Sequence, residues 1–153
     1  MLKEKFTPAE IRAISRARNI ISEKLSTYDL TFNNPQAVAD YLCLRFAGET
    51  LEHFEVIFLN AQNQLIACER MFSGTINAAT IYPRLVVKRA LELNAVAVIL
   101  AHNHPSGTLE VSTADKSITN KLVECLSTFD ISVTDHLIIA GTGHTSFANR
   151  GLL

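Results

Sequence analysis

Cysteine is scarce and scattered in this sequence. Cys43, Cys68 and Cys125 are odd in number, far apart and never in C-x-x-C spacing, which argues against a disulfide framework and against a thiolate zinc site and leaves buried, reduced thiols as the expectation. Long hydrophobic runs are also missing. The longest unbroken one, Ala95 to Ala101, is far too short to span a bilayer, and the opening Met1-Leu-Lys-Glu-Lys-Phe6 mixes both charges and has no apolar core of a signal peptide. The expectation is a cytoplasmic protein with no membrane partner. Neither charge prevails: the net charge is −1, so there is no global electrostatic case for nucleic-acid binding. Lys3, Lys5, Arg12, Arg16, Arg18 and Lys24 do outnumber the three glutamates of residues 1–24, a local excess that reads as a solvated helix face offering at most weak phosphate contacts. Disorder is excluded as well, because 48% apolar and 19% charged residues in 153 make one folded domain with a sizeable core.

What is present is a regular alternation of elements. Thr7-Pro-Ala-Glu10 combines an N-cap, a proline at the first helical position and an acid at the third, predicting a helix to about Ser26 with Ile11, Ile14, Ile21 and Leu25 on its apolar face. After a polar turn, Thr27 to Asn33, a second helix opens at Asn34-Pro35, with Val38, Tyr41, Leu42 and Leu44 to Phe46 as its apolar side and Gly48 as its stop. Glu52 to Leu59 and Gln64 to Phe72 read as a β-hairpin turning at Asn60–Asn63, broken by Ser73-Gly74-Thr75. Pro83 starts a helix through Leu93, and a buried strand follows from Ala95. Thr113 to Phe129 is amphipathic, with Ile118, Leu122, Cys125, Leu126 and Phe129 on one stripe. Ile131 to Ala140 is a strand, Gly141-Thr-Gly143 a turn, His144 a turn residue, and Thr145 to Ala148 a short last strand. Together these predict a mixed-sheet α/β (α+β) domain, residues 34–153, with helices flanking the sheet, preceded by an N-terminal helical extension, residues 1–33.

The most informative stretch is Ala95 to Asp115, where the apolar strand ends in His102-Asn-His104, a Pro-Ser-Gly turn and then Ser112-Thr-Ala-Asp115. Alternate side chains of an extended segment point the same way, so His102 and His104 can aim both imidazoles at one point. The turn can bring Asp115, in the first turn of the next helix, back to them. Two nitrogens and one carboxylate oxygen would hold a metal and leave a fourth tetrahedral position open, as catalytic zinc requires. Ser112-x-x-Asp115 read alone is equally a capping box that satisfies the helix N-terminus.

At these residues the sequence resembles the JAB/MPN (JAMM) metalloprotease family, whose motif is an upstream Glu followed by His-x-His, seven residues, Ser, two residues and Asp. It is similar in particular to the RadC-like branch, through Phe54-x-Val-Ile-Phe-Leu-Asn-x-x-Asn63, Gly74-Thr-Ile-Asn77, Pro83-Arg84, Lys88-Arg-Ala-Leu91, His102-Asn-His-Pro-Ser-Gly107, Asp135-His136 and Phe147 to Leu153. The similarity runs over roughly residues 35–153. The length resembles the short RadC-like forms without a helix-hairpin-helix domain.

The resemblance implies a JAB/MPN-like (cytidine-deaminase-like) fold in which His102, His104 and Asp115 bind Zn²⁺, with water completing the coordination. It implies a hydrolase acting on a peptide or protein amide. Glu52, at the start of its strand, takes the place of the family's acid/base glutamate, with Glu69 and Glu49 as replacements, and Ser112 would stabilise the oxyanion or the water. Asn103 should point away from the metal, His53 should point opposite to Glu52, and His136 reads as a structural or site-wall histidine. Two positions depart from the branch: Val111 stands where a proline is common before the motif serine, and Leu85-Val86 where Glu-Val or Glu-Ile follows Pro-Arg. The family's naming also implies a competing role as an accessory in DNA repair or recombination, and a metal-stabilised binding module without turnover is a third reading. The oligomeric state is left open by the sequence, a dimer included.

Overall fold

The computed structural model describes residues 6–25, 31–74 and 81–153. Lys3, Lys5, most of the expected turn from Thr27, and Thr75 to Asn77 lie outside these residues. Four helices, α1 (Pro8–Leu25), α2 (Pro35–Phe46), α3 (Pro83–Glu92) and α4 (Thr113–Ser127), accompany five strands, β1 (His53–Leu59), β2 (Leu65–Ser73), β3 (Ala97–Asn103), β4 (Ser132–Ala140) and β5 (Gly143–Ser146).

The strands form one mixed sheet in the order β2-β1-β3-β4-β5, with β3 and β4 parallel and every other pair antiparallel. Strands β1 and β3 are central, and every residue of both is buried, which is why Ala97 to Ala101 reads as a continuous apolar run rather than an alternation. Phe54, Val56, Phe58, Val98 and Leu100 face α3 and α4, packing on Val86, Ala90, Ile118, Leu122 and Leu126. Ile57, Leu59, Ala97, Ile99 and Ala101 face α2, packing on Val38, Ala39, Leu42 and Phe46. The sheet is therefore the middle of three layers.

Local chemistry sets the element ends. At α1, Thr7 and Glu10 exchange bonds in a capping box, Thr7 N–H donating to Glu10 at 2.7 Å and Glu10 N–H to the Thr7 hydroxyl at 3.3 Å. At α2 the Asn34 side chain accepts from Gln36 N–H at 2.9 Å, and Gly48 leaves the helix at φ +75°. Between β1 and β2, Asn60 Oδ1 accepts from the N–H groups of both Gln62 and Gln64 at 2.9 Å, which closes the hairpin. Among the described residues, no helix is long and apolar enough to cross a membrane.

Three expectations are corrected. The turn before β5 is only Gly141-Thr142, with Ala140 paired to Gly143, so β5 starts two residues early, His144 lies within it opposite Ile139, and Phe147 and Ala148 lie beyond it. Leu44 is exposed, because it follows Leu42 by about 200° around the helix. Phe129 is exposed too: α4 ends at Ser127, and Asp130 turns at φ +56°, carrying Phe129 off the apolar stripe. The buried glutamate Glu55, on the α2 face of β1, was not foreseen.

Glu55 is fully buried and bonded to Arg45 from α2 and, at 3.1 Å, to Arg70 from β2. The Cys68 thiol beside it is pushed up to about 12, chiefly by burial and also by the Glu55 charge. Glu49 continues the network, pairing with Arg70 at 3.0 Å and with Arg18 of α1 at 2.8 Å. The two arginines that hold Glu55 keep 25% and 30% of their side chains in water, whereas the carboxylate keeps none. Removing both cations by Arg45→Met and Arg70→Met therefore strands a buried charge and should cost about 3–5 kcal/mol in urea unfolding. Glu55→Gln leaves cations that can reach solvent and should cost clearly less; the reverse order would contradict this account of the network.

Candidate metal centre

The site forms where β3 ends and α4 begins, at the carboxyl edge of the parallel β3/β4 pair, where such sheets leave a crevice. Strand alternation puts His102 on the α4 side of the sheet and Asn103 on the other. His104, just past β3, is held by its N–H donating to Ile139 O at 2.8 Å, and the turn that follows closes with Gly107 N–H on His104 O at 3.0 Å. Gly107 takes φ +87°, a conformation only glycine adopts freely. The chain then returns through Leu109, whose carbonyl accepts from the Thr145 hydroxyl at 3.0 Å, to Ser112.

Ser112 caps α4 in a reciprocal box: its hydroxyl accepts from Asp115 N–H at 3.0 Å, and its own N–H donates to Asp115 Oδ2 at 2.8 Å. The box and the cluster coexist, because the box fixes the carboxylate so that Oδ1 faces His102 Nε2 at 3.2 Å and Oδ2 lies 4.0 Å from His104 Nε2. The two Nε2 atoms are 2.9 Å apart. Donor atoms about 2.0–2.2 Å from a tetrahedral ion are about 3.3 Å from each other. The three atoms, all within 4.8 Å of one another, thus surround a space of the right size for a metal ion.

Proton bookkeeping strengthens the fit. The Thr119 hydroxyl donates to Asp115 O at 2.6 Å, so at its 2.6 Å contact with His136 Nδ1 it must accept. His136 then carries its proton on Nδ1 and offers a lone pair from Nε2, which faces His102 Nδ1 at 2.8 Å. His102 therefore donates from Nδ1 and leaves a lone pair on Nε2. His104 reaches the same state independently, since its Nδ1 faces Thr108 O, which can only accept, at 3.0 Å. With neutral rings, two lone pairs and a carboxylate converge with no proton between them, the donor set a cation requires.

The surroundings keep this chain dry. His136 is fully buried, with Phe147 stacked 4.6 Å from it and Phe54 edge-on at 5.7 Å. Burial pushes its pKa well below the ordinary histidine value, so the ring is neutral. Burial opposes the Asp115 charge, whereas the Ser112 N–H that donates to Asp115 Oδ2 favours it and works to hold the carboxyl below its usual range. Asp135 explains why Asp135-His136 and Phe147 belong together: its carboxylate accepts from Ser146 Oγ at 2.6 Å and Ala148 N–H at 3.0 Å, setting Phe147 under His136.

Outside the cluster, a cleft of about 370 Å³ is lined by Glu52, His104, Ser106, Thr108, Glu110, Val111, Ser112 and Asp115. It meets, at His104 and Ser106, a more apolar groove of about 490 Å³ that reaches Phe6, Ile14, Leu44 and Phe46. Of the three glutamates considered for acid/base work, Glu52 lines the cleft. Glu69 instead grips Arg89 at 2.7–3.0 Å on the β2 edge, and Glu49 is engaged with Arg18, Arg70 and His53. His53 faces away, bonded to Ser73 Oγ at 2.8 Å. Thr119 was missed at the sequence level, although its place four residues after Asp115 puts both on one face of α4.

A mixed sheet carrying at a strand end a His-His-Asp cluster that could hold a metal ion is the arrangement of a JAB-like domain, and comparison with known proteins places the chain in that class. Residues 32–152 match the family model described as RadC-like JAB domain, and the chain belongs to that family. It is 48% identical over 148 residues to the UPF0758 protein YeeS of Escherichia coli (strain K12), covering 97% of this chain and 100% of that protein. YkfG of the same strain is 48% identical over 152 residues, 99% of this chain and 96% of that protein. A UPF0758 protein of Pseudoalteromonas translucida (strain TAC 125) is 56% identical over 125 residues, 82% of this chain but only 56% of the longer relative.

If the Thr119–His136 chain sets the proton on His102, His136→Phe should weaken metal affinity by about 10- to 100-fold. Competition with a chromophoric chelator measures this, and an unchanged affinity in a folded variant would count against the relay.

Proposed function

We propose that this chain is a zinc-dependent hydrolase of an amide or isopeptide bond. The observation that carries this reading is the convergence of two imidazole lone pairs and a carboxylate on an open cleft that Glu52 and Ser112 also line. Two nitrogens and one oxygen with an open side suit Zn²⁺, which when bound supplies a Lewis acid that polarises a carbonyl and makes water more acidic. His102, His104 and Asp115 hold the ion. Glu52 takes the proton of the attacking water and passes it to the leaving amine. Ser112 uses one lone pair in its capping bond, which leaves its O–H to donate to the oxyanion that develops on the carbonyl.

The substrate class is a peptide or protein amide, and the apolar groove that joins the cleft at His104 suits an apolar side chain beside the scissile bond. The setting is the cytoplasm, with no membrane partner. A DNA-repair accessory role draws less support, because Arg18, one of the basic residues of the first helix, is turned to Glu49.

Purified protein should hold about one Zn²⁺ per chain, lost in His102→Ala/His104→Ala. Turnover of a peptide library should vanish in Glu52→Gln while Zn²⁺ stays bound. Protein that binds no metal even after reconstitution sinks the reading, and Zn²⁺ binding without any turnover leaves a metal-stabilised binding module. Salt-sensitive DNA binding lost on deleting residues 1–26 would instead favour the accessory role.

A further inference from the structure

Asn103, between the two histidines, is the residue of the His-x-His motif with no part in the metal cluster. The residue is only 4% exposed, and its side chain lies on the opposite side of the sheet. There both ends of its amide are bonded: Oδ1 accepts from His53 N–H at 2.7 Å, and Nδ2 donates to Leu51 O at 2.9 Å. These two groups flank Glu52. The Glu52 carbonyl itself accepts from Gly74 N–H at 2.8 Å.

The position of this clamp follows from the ladder. Strands β1 and β3 pair from Leu59↔Ala97 to Phe54↔His102 and no further, so the backbone that carries Glu52 has run past the regular register. Beyond that point the Asn103 side chain takes over, supplying one donor and one acceptor where strand backbone would have. A buried amide that spans two residues of a neighbouring segment is a rigid and specific link. Because Asn103 lies one peptide from each histidine, it ties the Glu52 segment directly to the strand end that presents the ligands.

We propose that Asn103 is a positioning residue that sets Glu52 against the metal centre. This rests on the reading of Glu52 as acid/base given above. Aspartate in its place keeps the acceptor for His53 N–H but loses the donor to Leu51 O; alanine loses both.

The test uses the full chain loaded with Zn²⁺ and the peptide that the native protein cleaves best from the library. Asn103→Ala should keep native Zn²⁺ affinity, exchange the His53 amide hydrogen at least tenfold faster, and lose kcat by about 100-fold with KM within about twofold, as displacement of a catalytic group predicts. Asn103→Asp should fall between Asn103→Ala and the native protein in kcat, and it decides the matter should the alanine variant not fold. Native kcat in either folded variant despite faster His53 exchange overturns the proposal, as does loss of Zn²⁺ affinity, which would mean that Asn103 acts on the ligands. Native kcat in Glu52→Gln removes the Glu52 reading and the proposal with it, and a Zn²⁺-loaded native protein that cleaves no peptide removes both as well.

Discussion

Nε2 of His102 and Nε2 of His104 stand 2.9 Å apart, with Asp115 Oδ1 3.2 Å from the first, and these electron-rich atoms repel unless a proton or a cation lies among them. Much of the nearby structure serves to hold them there. Thr119 and His136 fix the proton of His102 on its far nitrogen, Thr108 does the same for His104, and the Ser112 box aims Asp115. Three of these four partners are anchored by secondary structure, Thr119 by α4, His136 by β4 and Ser112 by the helix start, and Thr108 lies in the loop that joins β3 to α4. The convergence is thus built into the backbone and does not depend on flexible side chains finding one another.

The two faces of the sheet divide the labour. On the α4 face, Phe54 and Phe147 pack on His136 and exclude water from it, which keeps its hydrogen bonds directional and its ring neutral. On the α2 face, Asn103 and the network of Glu55, Arg45, Arg70, Glu49 and Arg18 link β1, β2, α2 and α1 beneath the site. Buried ion pairs add little net stability, so the value of this network lies in fixing which segments meet. The apolar groove at the edge of the cleft, lined by Phe6 and Ile14 as well as His104, is also lined by Asn103 and Glu49 of this arrangement.

The His-His-Asp cluster was legible in the sequence because two periodicities intersect there: alternation along a strand places His102 and His104 together, and a helix-start acid follows at a distance that one turn can span. The helix starts were legible for the same local reason, their caps lying within a few residues. The partners of those ligands were not. His136 is 34 residues from His102 and Asn103 is about 50 from the Glu52 segment, and only the strand order β2-β1-β3-β4-β5 makes them neighbours. Glu55 escaped notice because a charged residue in an otherwise apolar strand looks exposed until the arginines of α2 and β2 are seen to meet it. The errors in β5 and Phe129 share one cause, that an element's end depends on where its hydrogen bonds run out and not on where apolar residues stop, whereas Leu44 was misplaced by its angle around α2.

The claim that most of this depends on is the placement of three protons. Long-range ¹H–¹⁵N correlation spectra of the Zn²⁺-loaded protein report the tautomer of each imidazole. The account predicts that His102, His104 and His136 all carry hydrogen on Nδ1, with Nε2 of the first two bound to the ion. Hydrogen on Nε2 of His102 or His104 would contradict it.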